Sequence, residues 1–466
     1  MTSFDKNNFQ METMTGQGMT IRFRAYRNLS YVAAPADEKY QTMNIYVPEA
    51  YYHGQAVGVY TAASAPVFMP NTVGGYMPGL PEEPGVNRHT NKLNAVFEAL
   101  ARGYVVAAPG ARGRGLTDGK GSYTGTAPAC IVDLKAAVRY LRHISEDLPG
   151  DMEKIITNGT SAGGALSALM GATGNSADYE PYLKALGAAD ERDDIFAASC
   201  YCPITNLDHA DMAYEWMYHN QHDFHRMIFQ MTDEGPERRA YDGMMTEEQI
   251  EYSREVRKLF PGYLNGLELK GGDGRRLSLD ENGDGSFKEY VKSFVTASAR
   301  KAAENGEDLT GEEYSWISWK EGVPCDIDFD RYTAYAGRMK AALAFDSMEM
   351  NTPENELFGN EKIQYRHFSE YSAMKDVREN TLAESLIIKI MNPMNYIDNE
   401  KARTAQFWRI RHGAVDRDTS LAVPVILAAK LREQGCDVDF ALPWGYGHAG
   451  DYDLEELFLW VDRICG

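Results

Sequence analysis

The sequence predicts an α/β fold in which a mostly parallel sheet, covered by helices, is split by one large and mainly helical insertion. Three observations carry this reading. Short apolar runs alternate with helical patterns through the first 200 residues. The alternation stops near residue 205 and resumes near residue 396. The chain has 466 residues, 44% hydrophobic and 25% charged, which is ample for a large buried core.

Taken in order, the runs at residues 43–47, 66–69, 104–108, 154–158 and 195–200 are expected strands. Between the third and fourth of these, Ile131, Leu134, Val138 and Leu141 recur at spacings of three and four, the signature of an amphipathic helix lying on the sheet. Residues 205–395 change to aromatic, Met-rich and strongly charged helical stretches, which read as an inserted cap or lid. A strand at 407–411, a helix at 420–434, a strand at 438–442 and an amphipathic helix at 453–464 then restore the α/β rhythm. The expected division is a core of residues 1–204 and 396–466 and a cap of residues 205–395.

A formal net charge of -21, spread along the chain, makes nucleic acid and anionic membranes poor partners and favours a small neutral or weakly acidic substrate. The N-terminal residues lack a basic segment followed by an apolar run, and no stretch approaches the roughly 18 apolar residues of a membrane helix, so a cytoplasmic protein is expected. Six cysteines in a chain of this length are too sparse for a disulfide scaffold and are read as reduced structural thiols.

The chemistry enters at Gly159-Thr160-Ser161-Ala162-Gly163. Taken alone, G-x-S-x-G is a weak signal. Here a strand-like run leads in and a small, helix-favouring run leads out, giving the strand, sharp turn and helix that expose a nucleophilic serine. Residues 159, 163 and 164 must be small, because a bulky side chain in so tight a turn collides with neighbouring backbone. A serine hydroxyl also needs a base, and the base needs an acid that fixes its tautomer. Asp416 follows the strand at 407–411, and His448 stands in a glycine-flanked loop after the strand at 438–442. The order Ser161, Asp416, His448 is that of α/β-hydrolases.

Asp418 competes as the acid and His412 as the base. Position decides, since this fold carries its base on the loop after the last strand, and Asp418 is then free to meet substrate. The bland reading of Ser161 is a helix N-cap. For the oxyanion, one N–H is expected from Ala162 and the second from the loop 70–76, where Gly75 is preferred and Gly74 is the alternative.

These motifs resemble the bacterial tannases, tannin acyl hydrolases that cleave galloyl esters. The matching segments are MPNTVGGYMPG (69–79), ITNGTSAGG (156–164), CPITNLDHADMAYEW (202–216), RMKAALAFD (338–346), TPENELFG (352–359), WRIRHGAVDRDTS (408–420) and FALPWGYGHAGDYDL (440–454). The resemblance implies the same three catalytic residues, with no cofactor. It adds a galloyl pocket in which Lys340, Glu354 and Asp418 meet the phenolic hydroxyls. From the residues alone, Lys340 and Glu354 read as solvated charges. Fungal tannases carry Cys beside the catalytic Ser and His, whereas this chain has Thr160 and Gly447 there. The alternative is an esterase for feruloyl or other aryl esters, or a peptidase, with the same triad; a catalytically silent binding protein is opposed by the intact triad.

Two further signals are discounted. Asp280 to Ser286 resembles the first half of a calcium loop, but the twelfth position is Val291 where Glu is needed, so a polar turn is expected. His219, His222 and His225, with His209 upstream, could face one way on a helix, yet no carboxylate or cysteine framework accompanies them and no metal is expected.

Overall fold

Strands buried on both faces of a parallel sheet need apolar side chains at every position, and this is why they were legible as unbroken runs. The computed structural model describes residues 4–16, 18–87, 92–232 and 235–466. Its strands, in chain order, are Gln10–Gly16 (β1), Met19–Ser30 (β2), Thr42–Pro48 (β3), Pro66–Pro70 (β4), Val105–Pro109 (β5), Asp151–Thr160 (β6), Ala197–Tyr201 (β7), Asp223–Thr232 (β8), Gly235–Met244 (β9), Ile317–Lys320 (β10), Val323–Ile327 (β11), Phe407–Arg411 (β12) and Asp437–Ala441 (β13). Every residue of β3, β4, β5 and β7 is buried.

Among the described residues, nine strands join one sheet in the order β1-β2-β3-β5-β4-β6-β7-β12-β13. The first three and the β3–β5 junction pair antiparallel. From β5 through β4, β6, β7 and β12 to β13 every pairing is parallel. The carboxyl ends of the parallel strands therefore share one edge, where an open α/β sheet presents its site. The helix expected around Ile131 to Leu141 spans Ala129–His143, and the two late helices span Ala422–Glu433 and Leu454–Cys465.

The sequence reading omitted β1 and β2. In β1 burial is partial and exposed positions alternate with half-buried ones, so no apolar run announces an edge strand of this kind. It read the segment from 205 to 395 as mainly helical and placed no strands in it. Helices such as Ala210–Tyr218, Glu247–Arg257, Ser286–Glu304 and Phe329–Ala336 do dominate it, but two antiparallel hairpins, β8–β9 and β10–β11, interrupt them. Among the described residues neither hairpin pairs with the main sheet.

This segment packs on the sheet through the same apolar core, which runs continuously from Ile156 and Leu166 to Trp216, Phe260 and Phe287. Trp216 is the hub of its aromatic packing, with ring centroids 5.3 Å from Phe260, 5.6 Å from Phe287 and 5.2 Å from Phe329. The residues that resemble half a calcium loop serve this hub. The Asp280 carboxylate accepts the N–H groups of Asn282 and Asp284 at 2.9 and 3.0 Å, shaping a polar turn whose Gly283 carbonyl accepts the Trp216 indole at 2.9 Å. Among the described residues no helix is long and apolar enough to cross a membrane.

Behind the sheet a buried charge cluster fixes the helix Ala129–His143. Asp193 accepts Lys135 Nζ at 2.7 Å, Arg139 Nε at 2.8 Å and the Asn175 N–H at 2.8 Å, with the Lys135 and Asp193 side chains essentially removed from solvent. Removing one partner of such a group leaves buried charge without compensation. Asp193→Ala is expected to lower unfolding free energy by about 3–5 kcal/mol. Guanidinium denaturation checks this, and a loss below about 1 kcal/mol, the ordinary worth of an exposed pair, would refute it.

Candidate active site

The sharp turn after β6 is sterically enforced. Ser161 takes φ 60° and ψ -121°, a strained conformation for a residue with a side chain, and its N–H donates to the Tyr201 carbonyl at 2.9 Å. A Cβ at Gly159 would overlap the Gly163 carbonyl, one at Gly164 would overlap the Tyr201 carbonyl, and one at Gly163 would come within 2.6 Å of Asn71 Oδ1. The three positions expected to be small are thus glycines for want of space. The Ser161 side chain makes no cap bond to the helix Ala162–Ala172 that it precedes, which overturns the N-cap reading.

Its hydroxyl oxygen lies instead 2.8 Å from His448 Nε2, and His448 Nδ1 lies 2.9 Å from Asp416 Oδ2. The three residues come from the ends of β6, β12 and β13, in the chain order expected. The acid and base loops are stitched together: the Ala414 N–H donates to the Pro443 carbonyl at 3.0 Å and the Val415 N–H to that of Tyr446 at 3.0 Å. Gly413 allows this approach, since a Cβ there would overlap the Tyr446 and Gly447 carbonyls.

Asp416 is fully buried. Burial alone would raise its pKa, but the facing His448 and His412 rings and the hydrogen bond from His448 hold it well below the usual carboxylate range. Its Oδ1 also accepts the Asp418 N–H at 2.9 Å. For His448, burial disfavours the charged ring, yet the Asp416 carboxylate outweighs it and lifts the imidazole well above its ordinary value. His412, the rival base, sits behind the acid with Nδ1 3.7 Å from Asp416 Oδ2, and burial lowers its tendency to charge. Neither of its ring nitrogens has a hydrogen-bond partner.

Lys340 and Asp418 meet directly, Nζ to Oδ1 at 3.1 Å, and Asp418 Oδ1 lies 3.9 Å from His448 Nε2. Burial lifts the Glu354 carboxyl above its usual range while the charge of Lys340 opposes that shift. Lys340 Nζ also stands 4.1 Å above the Phe345 ring. The two charges that looked solvated from sequence therefore belong to one partly desolvated group beside His448.

The sequence reading missed the residues that hold these groups. Tyr214 accepts the N–H groups of Met339 and Lys340 at 3.1 and 3.2 Å and donates to the Arg417 carbonyl at 2.9 Å. Tyr218 donates to the Asp416 carbonyl at 3.2 Å and Tyr332 to that of Ala414 at 2.7 Å. Arg338 forms a wholly buried ion pair with Glu215. Asp346 accepts Asn355 Nδ2 at 2.7 Å, anchoring the short helix Pro353–Leu357 that carries Glu354. An i, i+4 tyrosine pair at 214 and 218 was the available signal, and it is indistinguishable from ordinary core spacing.

Gly75 lies in the loop after β4, which pairs with β6 and so runs beside the turn. It takes φ 53°, and its carbonyl accepts Arg114 Nε at 2.6 Å, while Arg114 Nη1 reaches Glu356 Oε2 at 2.5 Å. Gly74 accepts the Met77 N–H at 3.0 Å. Ala162 opens the helix after Ser161. Of the histidines set aside from metal binding, His222 lies between elements and His225 stands on β8, its ring bonded to Asp242 at 2.7 Å and Asp223 at 3.0 Å; they do not share a helix.

A BD-FAE family model matches residues 85–233. No curated protein matches the chain. Among solved structures, the tannase of Fusobacterium nucleatum is 48% identical with a TM-score of 0.95, over 99% of each chain. A tannase from Lactobacillus plantarum is 44% identical with a TM-score of 0.94, covering 99% of this chain and 98% of that one. A tannin acyl hydrolase solved in complex with ethyl gallate is also 44% identical, with a TM-score of 0.93 and the same coverage. With close to half of all positions identical along nearly the full length of both chains, this protein belongs to the tannases, the tannin acyl hydrolases of the α/β-hydrolase class.

Proposed function

We propose that this carboxylic ester hydrolase cleaves galloyl esters through Ser161, His448 and Asp416, and that Lys340, Glu354 and Asp418 hold the galloyl ring. The observation that carries the reading is the continuous hydrogen-bonded line from Ser161 Oγ through His448 to Asp416, with the Lys340–Asp418 pair beside it. His448 takes the Ser161 proton as Oγ attacks the ester carbonyl, and the oxyanion rests on the N–H groups of Ala162 and Gly75. The imidazolium then protonates the departing alcohol. Water activated by His448 frees gallic acid from the acyl-enzyme, with no cofactor in the cycle.

Galloyl recognition follows from donor and acceptor chemistry. Phenolic hydroxyls are donors that must be satisfied when buried, ionised carboxylates accept only, and the Lys340 ammonium donates to phenolic oxygens while offsetting negative charge. The proposed division of labour gives catalysis to residues 1–204 and 396–466 and the pocket's outer wall to a cap of residues 205–395. The location proposed is the cytoplasm, which the six free thiols support. A net charge of -21 supports a small-molecule substrate over nucleic acid.

Purified protein is expected to release gallic acid from methyl gallate, and Ser161→Ala to abolish release, both followed by chromatography with ethyl ferulate alongside. Glu354→Gln and Asp418→Asn should lower kcat/KM on methyl gallate by about 10- to 100-fold, the loss of one or two charge-assisted hydrogen bonds, while sparing phenyl acetate. Equal losses on both esters would remove the galloyl assignment and leave the triad.

The pH profile follows from the direction of the His448 shift. The neutral ring is the base, and its tendency to hold a proton is raised, so kcat/KM should fall with decreasing pH along a limb centred above about 6.5. Asp416→Asn should lower kcat by about 10⁴-fold and move the limb of the residual activity downward. A limb at or below the ordinary histidine value in the unmodified enzyme would contradict the pairing.

A further inference from the structure

Beside Asp416 lie two buried side chains, Cys202 and His412, that ester hydrolysis does not use. Cys202 Sγ, a His412 ring nitrogen and an Asp416 carboxylate oxygen all lie within 4.8 Å of one another, and all three residues are buried. Two neighbouring strands make this group: Cys202 follows β7, and His412 and Asp416 follow β12, which pairs with β7 in parallel. The Cys202 N–H donates to the Arg411 carbonyl at 2.7 Å, which locks the first of these loops to the second. His412 is only 1% exposed, and neither of its nitrogens has a hydrogen-bond partner. A buried imidazole without a partner requires an explanation, because such groups are nearly always satisfied.

We infer that Cys202, His412 and Asp416 form a site for a thiophilic divalent cation of the zinc class, and that its occupation switches the hydrolase off by withdrawing Asp416 from His448. Thiolate, imidazole and carboxylate are the donors such an ion takes. Zinc bonds of roughly 2.0–2.3 Å place ligand atoms of a tetrahedral site about 3.3–3.8 Å apart, so the group closes on an ion by modest side-chain movement. His412 Nδ1 and Asp416 Oδ2 already stand 3.7 Å apart. A hard cation such as calcium or magnesium is a poor match for a thiol and a ring nitrogen.

The consequence for catalysis is geometric. The Asp416 oxygen nearest His412, Oδ2, is the same atom that accepts His448 Nδ1 at 2.9 Å. An ion on that oxygen leaves the catalytic ring without its acceptor and removes the negative charge that stabilises the imidazolium. Cys202 Sγ donates to the Ala449 carbonyl at 3.2 Å, so the loop bearing His448 covers the group and must shift as the ion enters. Binding exchanges the thiol proton for the metal, and the proton leaves to solvent. Because the thiol must give up its proton to bind, affinity grows as pH rises.

The inhibition half of this inference rests on the triad reading, whereas the binding half does not, and the test separates them. Cobalt(II) titrated into the protein should give a near-ultraviolet thiolate charge-transfer band that zinc displaces and EDTA removes. The band should persist in Ser161→Ala and vanish in Cys202→Ser. In the same preparations zinc should inhibit methyl gallate hydrolysis reversibly, more strongly at higher pH. Rates are expressed relative to each variant's own metal-free rate. In Cys202→Ser and in His412→Asn the half-inhibiting zinc concentration should rise by about tenfold or more, as expected for loss of one donor. Cys325→Ser, which removes an exposed thiol elsewhere, should change neither readout. A band that survives Cys202→Ser or follows Cys325, or zinc inhibition unaltered in both ligand variants, overturns the site. A Cys202-dependent band without inhibition keeps the site and refutes the switch.

Discussion

Three backbone segments approach one another at the end of β6 more closely than side chains allow, and the rest of the site is arranged around that contact. Ser161 is held at positive φ because the chain must reverse from strand to helix within a single residue, and Gly159, Gly163 and Gly164 are the walls of that reversal. Asn71 fills the remaining gap, its amide donating to the carbonyls of Asn158 and Gly163 at 3.1 Å each. The same asparagine begins the loop that reaches Gly75. Ser161 and the candidate oxyanion donors are thereby fixed to each other by backbone packing and the Asn71 amide. Strain of this kind persists only where its surroundings over-determine it, and here parallel pairing of β6 with both β4 and β7 does so.

The inserted segment then supplies what the sheet lacks, a fixed second wall. It does so mainly with tyrosines. The hydroxyls of Tyr214, Tyr218 and Tyr332 each end on a backbone carbonyl of the loop 414–417, so the acid loop is held from above as well as by the sheet. A buried tyrosine hydroxyl needs a partner, and an irregular loop has carbonyls in need of donors, so each satisfies the other. Asp211 extends the scheme: it accepts the N–H groups of Phe345 and Asp346 at 2.9 Å each, and burial followed by the nearby Asp346 lifts its carboxyl to about 7. Asp346 in turn accepts His367 Nδ1 at 2.6 Å and the Ser369 N–H at 2.8 Å. Residues 205–395 are therefore joined to the rest of the chain by one apolar cluster and by directional bonds to buried polar atoms, which fix position as apolar contact alone cannot.

Legibility in the sequence followed the number of local constraints on each residue. Strands such as β4 and β7 were readable because both faces are buried, and the serine turn was readable because strand, glycines and small helix lie within a dozen residues. β1 was not readable, since an edge strand satisfies one side only and its half-buried positions, Glu12, Met14 and Gly16, form no apolar pattern. Lys340 and Glu354 were the hardest. They are polar, separated from Asp418 by scores of residues, and nothing in their own neighbourhoods distinguishes a pocket charge from a solvated one. Only resemblance to a family nominated them, and the contacts that explain their placement, through Tyr214 and Asp346, cross more than a hundred residues or bridge two loops. His412 was weighed as a base because histidine near an acid is the local pattern; the fold leaves it 3.7 Å from Asp416 Oδ2 and gives the bond to Ser161 to His448, which no local pattern encodes.

On the proposed reading, the charge balance of the pocket also accounts for turnover. Asp416 meets His448 at Nδ1 and Asp418 lies 3.9 Å from its Nε2, with Glu354 nearby, and Lys340, Arg114 and the transient His448 imidazolium are cations that face these carboxylates. A neutral galloyl ester meets these carboxylates as a hydrogen-bond donor and gains from each of them. Hydrolysis changes the ligand's charge: as the acyl-enzyme breaks down His448 passes its proton back to Ser161 Oγ and becomes neutral, and the gallic acid released ionises by giving its proton to solvent. The product is then an anion in a site already rich in anions, with His448 neutral. Like charges in a partly desolvated setting repel far more strongly than in bulk water. The arrangement that accepts the phenols of the ester therefore weakens the hold on the acid, and the same carboxylates serve both recognition and release.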